Sequence, residues 1–388
     1  MFEPRKFIED LFPTRHAKEV REQIVEAGLK PPEMLTLMIT AECNQHCGHC
    51  LLGCTSSQAV QPVPKQVLMK LIEEFSGLGG RRLVLTGGEA LTHPHWFEIL
   101  HTTLTHFSYR EVCLQTNATL LKADIVSALA SLPENKLSLQ ISLDGASAEI
   151  HDSVRGKGSF DATMKGLRLL SRYGLCRQTR IAFTEMRHNF HELPRLLELV
   201  DSLGIASLVS NTLVKGGRAA QTDRMALPLP EQYRELIALY HRDPRFRRLY
   251  GQYANIAAIE WYKGQHISAS DNCTCIQNLF ISADGSIYPC TMMHNPHYAI
   301  QNAHNQPLET LIAHALCVWG ELPALSRLRQ TEIERCTGCP GQAHCTGGCL
   351  GRAFAAYGEL MREEDRCSLR RAVYGICMKK QETGRYEK

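Results

Sequence analysis

From Met34 to about Val214, six β-rich runs alternate with helical patterns, and that alternation leaves few folds open. The runs are Leu35–Ile39, Arg82–Thr86, Glu111–Thr116, Leu137–Leu143, Arg180–Thr184 and Ser207–Leu213. Between them, Lys65–Phe75, Trp96–His106, Phe160–Arg172 and Glu192–Leu203 place apolar residues at helical spacing. Strand, helix and strand in succession form a parallel pair with a right-handed crossover. The repeat predicts an α/β fold, a partial (β/α)6 TIM-like barrel whose chemistry sits at the carboxyl ends of the strands. The barrel is expected over 34–222. Residues 1–33 read as a helical extension, amphipathic around His16 to Ala27 and stopped by Gly28 and Pro31-Pro32. A helical bridge with a break at Pro228-Leu-Pro230 is expected over 223–267, and a cysteine-rich domain over 268–388.

The loop after the first strand carries Cys43, Cys47 and Cys50, spaced C-x3-C-x2-C. Three thiolates on one short loop hold three irons of a four-iron cluster and leave the fourth open to another ligand. The competing reading is a structural zinc knuckle, but such sites usually pair two cysteine arms, and no second arm follows nearby. The chain has sixteen cysteines in 388 residues. Its start, Met1-Phe-Glu-Pro-Arg-Lys6, is charged, and no window approaches eighteen apolar residues. These features favour metal ligation over disulfides and predict a cytoplasmic protein in a reducing, oxygen-poor setting. The formal net charge of +3 calls for neither nucleic acid nor an anionic membrane, and Arg245-Phe-Arg-Arg248 reads as a solvated helix face.

The second strand ends in Thr86-Gly87-Gly88-Glu89-Ala90. Two glycines let a ligand's polar head approach the backbone, and a carboxylate can receive an ammonium group; alone, the segment is an ordinary tight turn. The third strand ends in Gln115-Thr-Asn117-Ala118, the fourth in Gln140-Ile-Ser142-Leu-Asp144-Gly145. Polar residues there face a barrel's site. Arg155 offers a planar fork suited to a carboxylate. Together with the cysteine triplet, these segments resemble the radical SAM superfamily, in which S-adenosylmethionine (SAM) chelates the open iron. The resemblance implies that Gly87, Gly88 and Glu89 receive the SAM ammonium. It adds Asn117 to the SAM contacts and assigns Ser142 and Arg155 to the carboxylate and ribose region. Three positions depart from the family pattern: Ala90 stands for a usual proline, Ala118 for a glycine, and His49 for an aromatic residue. Lys215-Gly-Gly-Arg218-Ala219 resembles a family segment after strand six and is expected at the rim of the site.

Further along come Cys275-x9-Gly285-x4-Cys290, then Cys336-x2-Cys339-x5-Cys345-x3-Cys349, then Cys367. Asp284-Gly285 is a hairpin turn signal, so Cys275 and Cys290 flank a hairpin and can meet. Cys336 to Cys349 alone could bind zinc. The seven positions resemble the SPASM pattern of two auxiliary clusters. That resemblance implies that Cys275, Cys290 and Cys349 bind auxiliary cluster I, and that Cys336, Cys339, Cys345 and Cys367 bind auxiliary cluster II. Cys273 is the expected fourth ligand of cluster I. An extended strand holds side chains at i and i+2 about 7 Å apart, so a bend at Asp271-Asn272 is needed; the alternative is a free thiol. Cys54, Cys113, Cys176, Cys317 and Cys377 are expected to be small apolar residues, with Cys54 close to the triplet.

The resemblance implies three [4Fe–4S] clusters and SAM, reductive cleavage of SAM to a 5′-deoxyadenosyl radical, and hydrogen abstraction from an unactivated carbon. It points to a ribosomally made precursor peptide as substrate, undergoing crosslinking, thioether formation or side-chain oxidation. A flavodoxin or ferredoxin is the implied one-electron donor. Two alternatives are a tetrapyrrole (haem precursor) side-chain decarboxylase and a non-catalytic iron–sulfur or zinc scaffold. No catalytic acid or base is legible.

Overall fold

The computed structural model describes residues 17–56, 61–264, 273, 275–342, 345 and 347–383. Helix α1 (Ala17–Glu26) leads into β1 (Met34–Met38). Then α2 (Lys65–Gly77), β2 (Arg82–Thr86), α3 (Trp96–His106), β3 (Glu111–Thr116), α4 (Ala123–Ala130) and β4 (Leu137–Ser142) alternate. After α5 (Ala148–Arg155) and α6 (Ser159–Arg172) come β5 (Thr179–Glu185), α7 (Leu193–Leu203) and β6 (Ser207–Thr212). The six expected strands pair in parallel in sequence order, for example Leu35 with Leu83 and Ile141 with Ile181.

Period-two alternation divides the barrel wall into two chemistries. Leu35, Leu37, Leu83, Leu85, Val112, Leu114, Leu139, Ile181 and Leu208 point outward into one apolar core with the helices. In α2 the buried set is Leu68, Leu71, Ile72 and Phe75, an i, i+3, i+4, i+7 stripe. The other strand face carries Thr36, Thr86, Cys113, Gln115, Gln140, Ser142, Thr184 and Asn211, which line a cavity. A barrel interior filled by valine and leucine would be solid; this polar set leaves room. Helix α7 stops where Gly204 takes φ +66°, with Gly204 N–H bonded to Asp201 O and Ile205 N–H to Val200 O.

Among the described residues the sheet has nine strands, three beyond the alternation. After α8 (Pro230–Arg242) and α9 (Pro244–Tyr253), the two-residue β7 (Ala254–Asn255) pairs with β6, and α10 (Ala257–Lys263) follows. At the opposite edge, β8 (Asn278–Ile281) runs parallel to β1, setting Leu279 beside Leu35. Antiparallel β9 (Ile287–Tyr288) closes the expected hairpin, with Gly285 at φ +82° and Asp284 Oδ1 accepting the Ser286 N–H at 2.9 Å. The cysteine-rich segment thus continues the barrel's own sheet.

Helices α11 (Leu308–Trp319), α12 (Leu322–Glu332), α13 (Leu350–Tyr357) and α14 (Cys367–Thr383) complete the chain. The stretch Leu308–Glu332 has the length and apolarity of a membrane span. Its residues Leu308, Leu311, Ile312, Ala315, Trp319 and Leu322 are buried in the main core. The Trp319 indole N–H donates to Tyr298 O at 2.9 Å. Arg352 fastens α13 to the barrel by donating to the carbonyls of Thr212 and Leu213 at the end of β6.

Candidate functional site

Cys43, Cys47 and Cys50 lie on the loop leaving the carboxyl end of β1 and line one cavity of about 620 Å³ with Gly87, Gly88, Glu89, Asn117, Ser142 and Arg155. The sequence-predicted cysteines and SAM contacts are therefore brought together. Among the described residues, no three His, Cys, Asp or Glu side chains are grouped to hold a single metal ion. Burial pushes the Cys43 thiol up to about 11 and raises Cys47. Metal ligation requires the thiolate, so a cluster held here would have to displace protons.

The two glycines also bring a neighbouring segment close. A Cβ on Gly87 would lie 2.6 Å from Thr40 O, and one on Gly88 would lie 2.3 Å from Glu42 O and 2.7 Å from the Cys43 Cβ. Gly88 N–H donates to Thr40 O at 2.9 Å and Glu89 N–H to Glu42 O at 2.8 Å. The close approach is to the cysteine loop itself, which the glycines let dock on β2. Glu89 is 1% exposed. Its Oε1 accepts the Leu91 N–H at 3.1 Å, capping the short 3-10 turn Ala90–Thr92, and its Oε2 accepts the Asn117 N–H at 2.7 Å. Burial raises its pKa against these bonds. The Thr116 side chain also bonds to it; a carboxylate has about four lone-pair sites, so capacity for one further donor remains.

Asn117 is committed to the cysteine loop and to its own turn. Its Nδ2 donates to Asn44 Oδ1 at 2.8 Å, and its Oδ1 accepts from Thr119 N and Oγ1 at 3.0 and 2.7 Å. Beside it, Ala118 holds φ +62°, a left-handed conformation usually left to glycine. Arg155, at the end of α5, is buried rather than on the surface. Its Nε donates to Asp144 Oδ2 at 2.6 Å, its Nη1 lies 3.9 Å from Cys47 Sγ, and its Nη2 lies 3.4 Å from His49 Nε2.

The sequence pattern sets His49 in the place of an aromatic residue and Arg218 at the rim, and gives Asp144 no partner. Asp144 is wholly buried, and its Oδ1 accepts the Thr184 N–H at 2.8 Å. Burial opposes its charge, but Arg155 and its other partners outweigh that and hold the pKa down. Burial also lowers His49 to about 4, so the ring is neutral; its Nδ1 is enclosed without a partner. Arg218 Nε donates to Cys47 O at 2.9 Å and Nη1 to Cys54 O at 2.7 Å, while Arg218 N–H donates to Cys50 O at 3.0 Å. The expected rim residue clamps the whole triplet loop. Cys54 is not merely apolar filling: its thiol hydrogen-bonds Cys50, which holds Cys50 low and Cys54 high.

A second cavity of about 510 Å³ adjoins the first and shares Leu51, Leu52, Cys54, Phe280, Met292 and His294 with it. Tyr288, Phe354 and Met38 add apolar wall.

The downstream cysteines fall into two groups. Cys336, Cys339, Cys345 and Cys367 line one small cavity. Cys275 hydrogen-bonds Cys273 and feels Cys290, which in turn feels Cys349. The hydrogen bond between Cys273 and Cys275 brings these side chains closer than the i, i+2 separation of an extended strand. Ile276 takes φ +70°, with its N–H on Pro289 O at 2.7 Å. The expected bend at Asp271-Asn272 lies outside the described residues. A β-branched residue at positive φ is strained, and it is held by full burial. Two N–H donors near these groups, Arg329 Nε and Arg366 Nε, are buried without partners. Grouped soft thiols beside buried cations fit an anionic iron–sulfur cluster.

Residues 37–200 match the radical SAM superfamily, and residues 273–340 match the SPASM iron–sulfur cluster-binding domain. The chain is 30% identical over 358 residues to an AdoMet-dependent heme synthase of Methanosarcina barkeri, covering 87% of this chain and 97% of that one. It is 26% identical over 326 residues to the antilisterial bacteriocin subtilosin biosynthesis protein AlbA of Bacillus subtilis, covering 82% and 67%. The fold is similar to that of Streptococcus suis SuiB bound to the precursor peptide SuiA, with TM-score 0.70, 16% identity, and coverage of 95% and 82%.

Proposed function

The chain belongs to the radical SAM superfamily and carries a SPASM domain, and from that premise we propose that it oxidises or crosslinks a side chain of a ribosomally made peptide. It is an enzyme that uses SAM and iron–sulfur clusters. When bound, that pair supplies one-electron chemistry able to take a hydrogen atom from an unactivated carbon. Cys43, Cys47 and Cys50 would hold the cluster, and Gly87, Gly88, Glu89, Asn117, Ser142 and Arg155 would hold SAM. Cys273, Cys275, Cys290 and Cys349 would hold auxiliary cluster I, and Cys336, Cys339, Cys345 and Cys367 auxiliary cluster II.

The chain's own groups bind and orient. Arg218 pins the loop carbonyls so that the three thiols keep one orientation. Asp144 fixes the Arg155 fork beside Cys47, leaving Nη1 and Nη2 for a carboxylate. Glu89 offers the remaining capacity of a desolvated carboxylate to an ammonium group. His49, neutral, adds no charge beside Arg155. The apolar walls of the second cavity would limit water in the space next to the triplet once a substrate covers it.

The observation that supports the peptide reading is the paired cavity, with a chamber of mixed polar and apolar lining inside the barrel and a more apolar one against the β8–β9 hairpin. An extended peptide alternates its side chains, and such neighbours suit it. The names of AlbA and of the SuiB–SuiA complex support the same class. A second reading, decarboxylation of a tetrapyrrole side chain, is favoured by the match over 97% of the heme synthase. We place the protein in the cytoplasm with a flavodoxin or ferredoxin as donor.

The test is anaerobic incubation of the reconstituted enzyme with SAM and dithionite. One arm adds short cysteine-bearing peptides encoded beside its gene, and the other adds a haem precursor carrying propionates. Loss of hydrogen from a peptide, with 5′-deoxyadenosine formed in step, is expected. Carbon dioxide released from the tetrapyrrole, with every peptide unchanged, would overturn the peptide reading.

A further inference from the structure

Buried charge in the cysteine-rich domain does not balance among the described residues. Arg352 forms a two-pronged pair with Asp365, Nε to Oδ1 at 2.7 Å and Nη2 to Oδ2 at 3.0 Å. Glu364 is shared by Arg366 at 3.0 Å and Arg370 at 2.5 Å, and also accepts the Cys349 N–H at 2.9 Å. Arg329 of α12 is 0% exposed. Its Nη1 and Nη2 donate to the carbonyls of Gly348 at 2.8 Å, Gly347 at 2.9 Å and Arg362, with no carboxylate among these acceptors. Its Nε has no partner, and neither has Arg366 Nε. With Glu363 taken by Arg335 at 2.6 Å, five guanidinium groups meet three carboxylates, and Arg329 is the one that donates to no carboxylate.

A buried guanidinium without a counter-charge is strongly unfavourable, so a chain that keeps one has an anion for it in the working state. The groups close enough to act on the Arg329 charge include Glu364, already shared, and the thiols Cys349, Cys345 and Cys336. Those thiols come from both auxiliary groups, Cys349 from one and Cys336 and Cys345 from the other.

We propose that Arg329 is a positioning residue for both auxiliary clusters, its uncompensated charge set between their ligand thiols so as to raise the clusters' reduction potentials. The inference rests on the ligand assignment made above. Each electron added to a cluster increases its negative charge by one, and a fixed cation in a water-poor interior stabilises the reduced form. The free Nε–H adds a donor for a ligand sulfur, a second influence in the same direction.

The test is a dithionite titration of the holoenzyme, followed by electron paramagnetic resonance, on Arg329→Met and Arg329→Lys. Methionine keeps much of the length and removes the charge; lysine keeps the charge and loses the fork. At a fixed potential, the reduced-to-oxidised ratio of the auxiliary clusters is expected to fall about tenfold in the methionine variant, which for one electron is about 59 mV to the negative side. The lysine variant should stay within about twofold of the wild type. Iron kept by lysine but lost by methionine also supports the proposal, since charge is what separates the two. Full iron content with unshifted midpoints in the methionine variant overturns it, as does equal loss of iron in both. Wild-type protein that takes up only about four irons on reconstitution overturns the ligand assignment and this inference together; about twelve irons with an unshifted methionine variant overturns this inference alone.

Discussion

Replacing Glu89 by glutamine separates two demands placed on one carboxylate. Its oxygens accept the N–H groups of Leu91 at 3.1 Å and Asn117 at 2.7 Å. Glutamine can present one oxygen and one NH2, so one of these buried N–H groups then faces a donor. An unsatisfied buried donor costs about 1–3 kcal/mol. Relief from burying a charge offsets part of this, because burial already works against the ionised form. A net loss of about 1–2 kcal/mol is expected, lowering the melting temperature of the metal-free chain by roughly 1–3 °C for a chain of this length. If Glu89 also receives the SAM ammonium, losing a charge-assisted bond of about 1.5–3 kcal/mol weakens SAM binding by about tenfold or more. Differential scanning calorimetry on the metal-free variant and equilibrium SAM binding on the reconstituted one read the two effects independently. A lowered melting temperature with unchanged SAM affinity refutes the binding role and leaves Glu89 as a cap. Weakened SAM binding with unchanged melting temperature refutes the capping argument.

Four further outcomes are expected. Cys43, Cys47 and Cys50 replaced together by alanine should remove about four of about twelve irons and abolish SAM cleavage; 5′-deoxyadenosine from that variant sinks the site. Gly88→Ala puts a Cβ 2.3 Å from Glu42 O, so the triplet loop must shift and iron at the first site should be lost while circular dichroism is unchanged; normal loading contradicts this. Ala118→Gly relieves about 1–2 kcal/mol of left-handed strain and gives back about 0.4–1 kcal/mol through the freer unfolded chain. Stability by urea denaturation should be unchanged or rise by about 1 kcal/mol, and a loss of that size counts against the strain argument. Asp152 accepts from Gly158 N at 2.6 Å, Phe160 N at 2.8 Å and Ser159 Oγ at 3.0 Å, bonds that hold its pKa low against slight burial. Its stabilisation is present above the ordinary aspartate pKa and fades as pH falls through the lower folded value. Asp152→Ala should cost about 1 kcal/mol at pH 7 and less at about pH 3, and a cost independent of pH contradicts the titration.

The sequence by itself determined the elements whose cause is local. The six strands and their helices follow from side-chain period, which needs only near neighbours, and their bounds differ from the observed ones by a residue or two. The hairpin at Asp284-Gly285 follows from turn chemistry. The cysteine spacings, read with the family resemblance, sort the thiols into the groups found close together in space. What only the tertiary structure decided are pairings across long stretches of chain. Nothing in Asn278–Ile281 marks it as the neighbour of Met34–Met38; that edge was simply left unpaired once β2 to β6 had been laid down on the other side. The reason for Gly87 and Gly88 was equally hidden, because the backbone they accommodate lies more than forty positions earlier. Asp144 behind Arg155, Arg218 over the triplet loop and Arg329 between two cysteine groups share that character. A motif records which donors a site needs, whereas the charges that orient and compensate those donors come from whichever elements packing brings alongside.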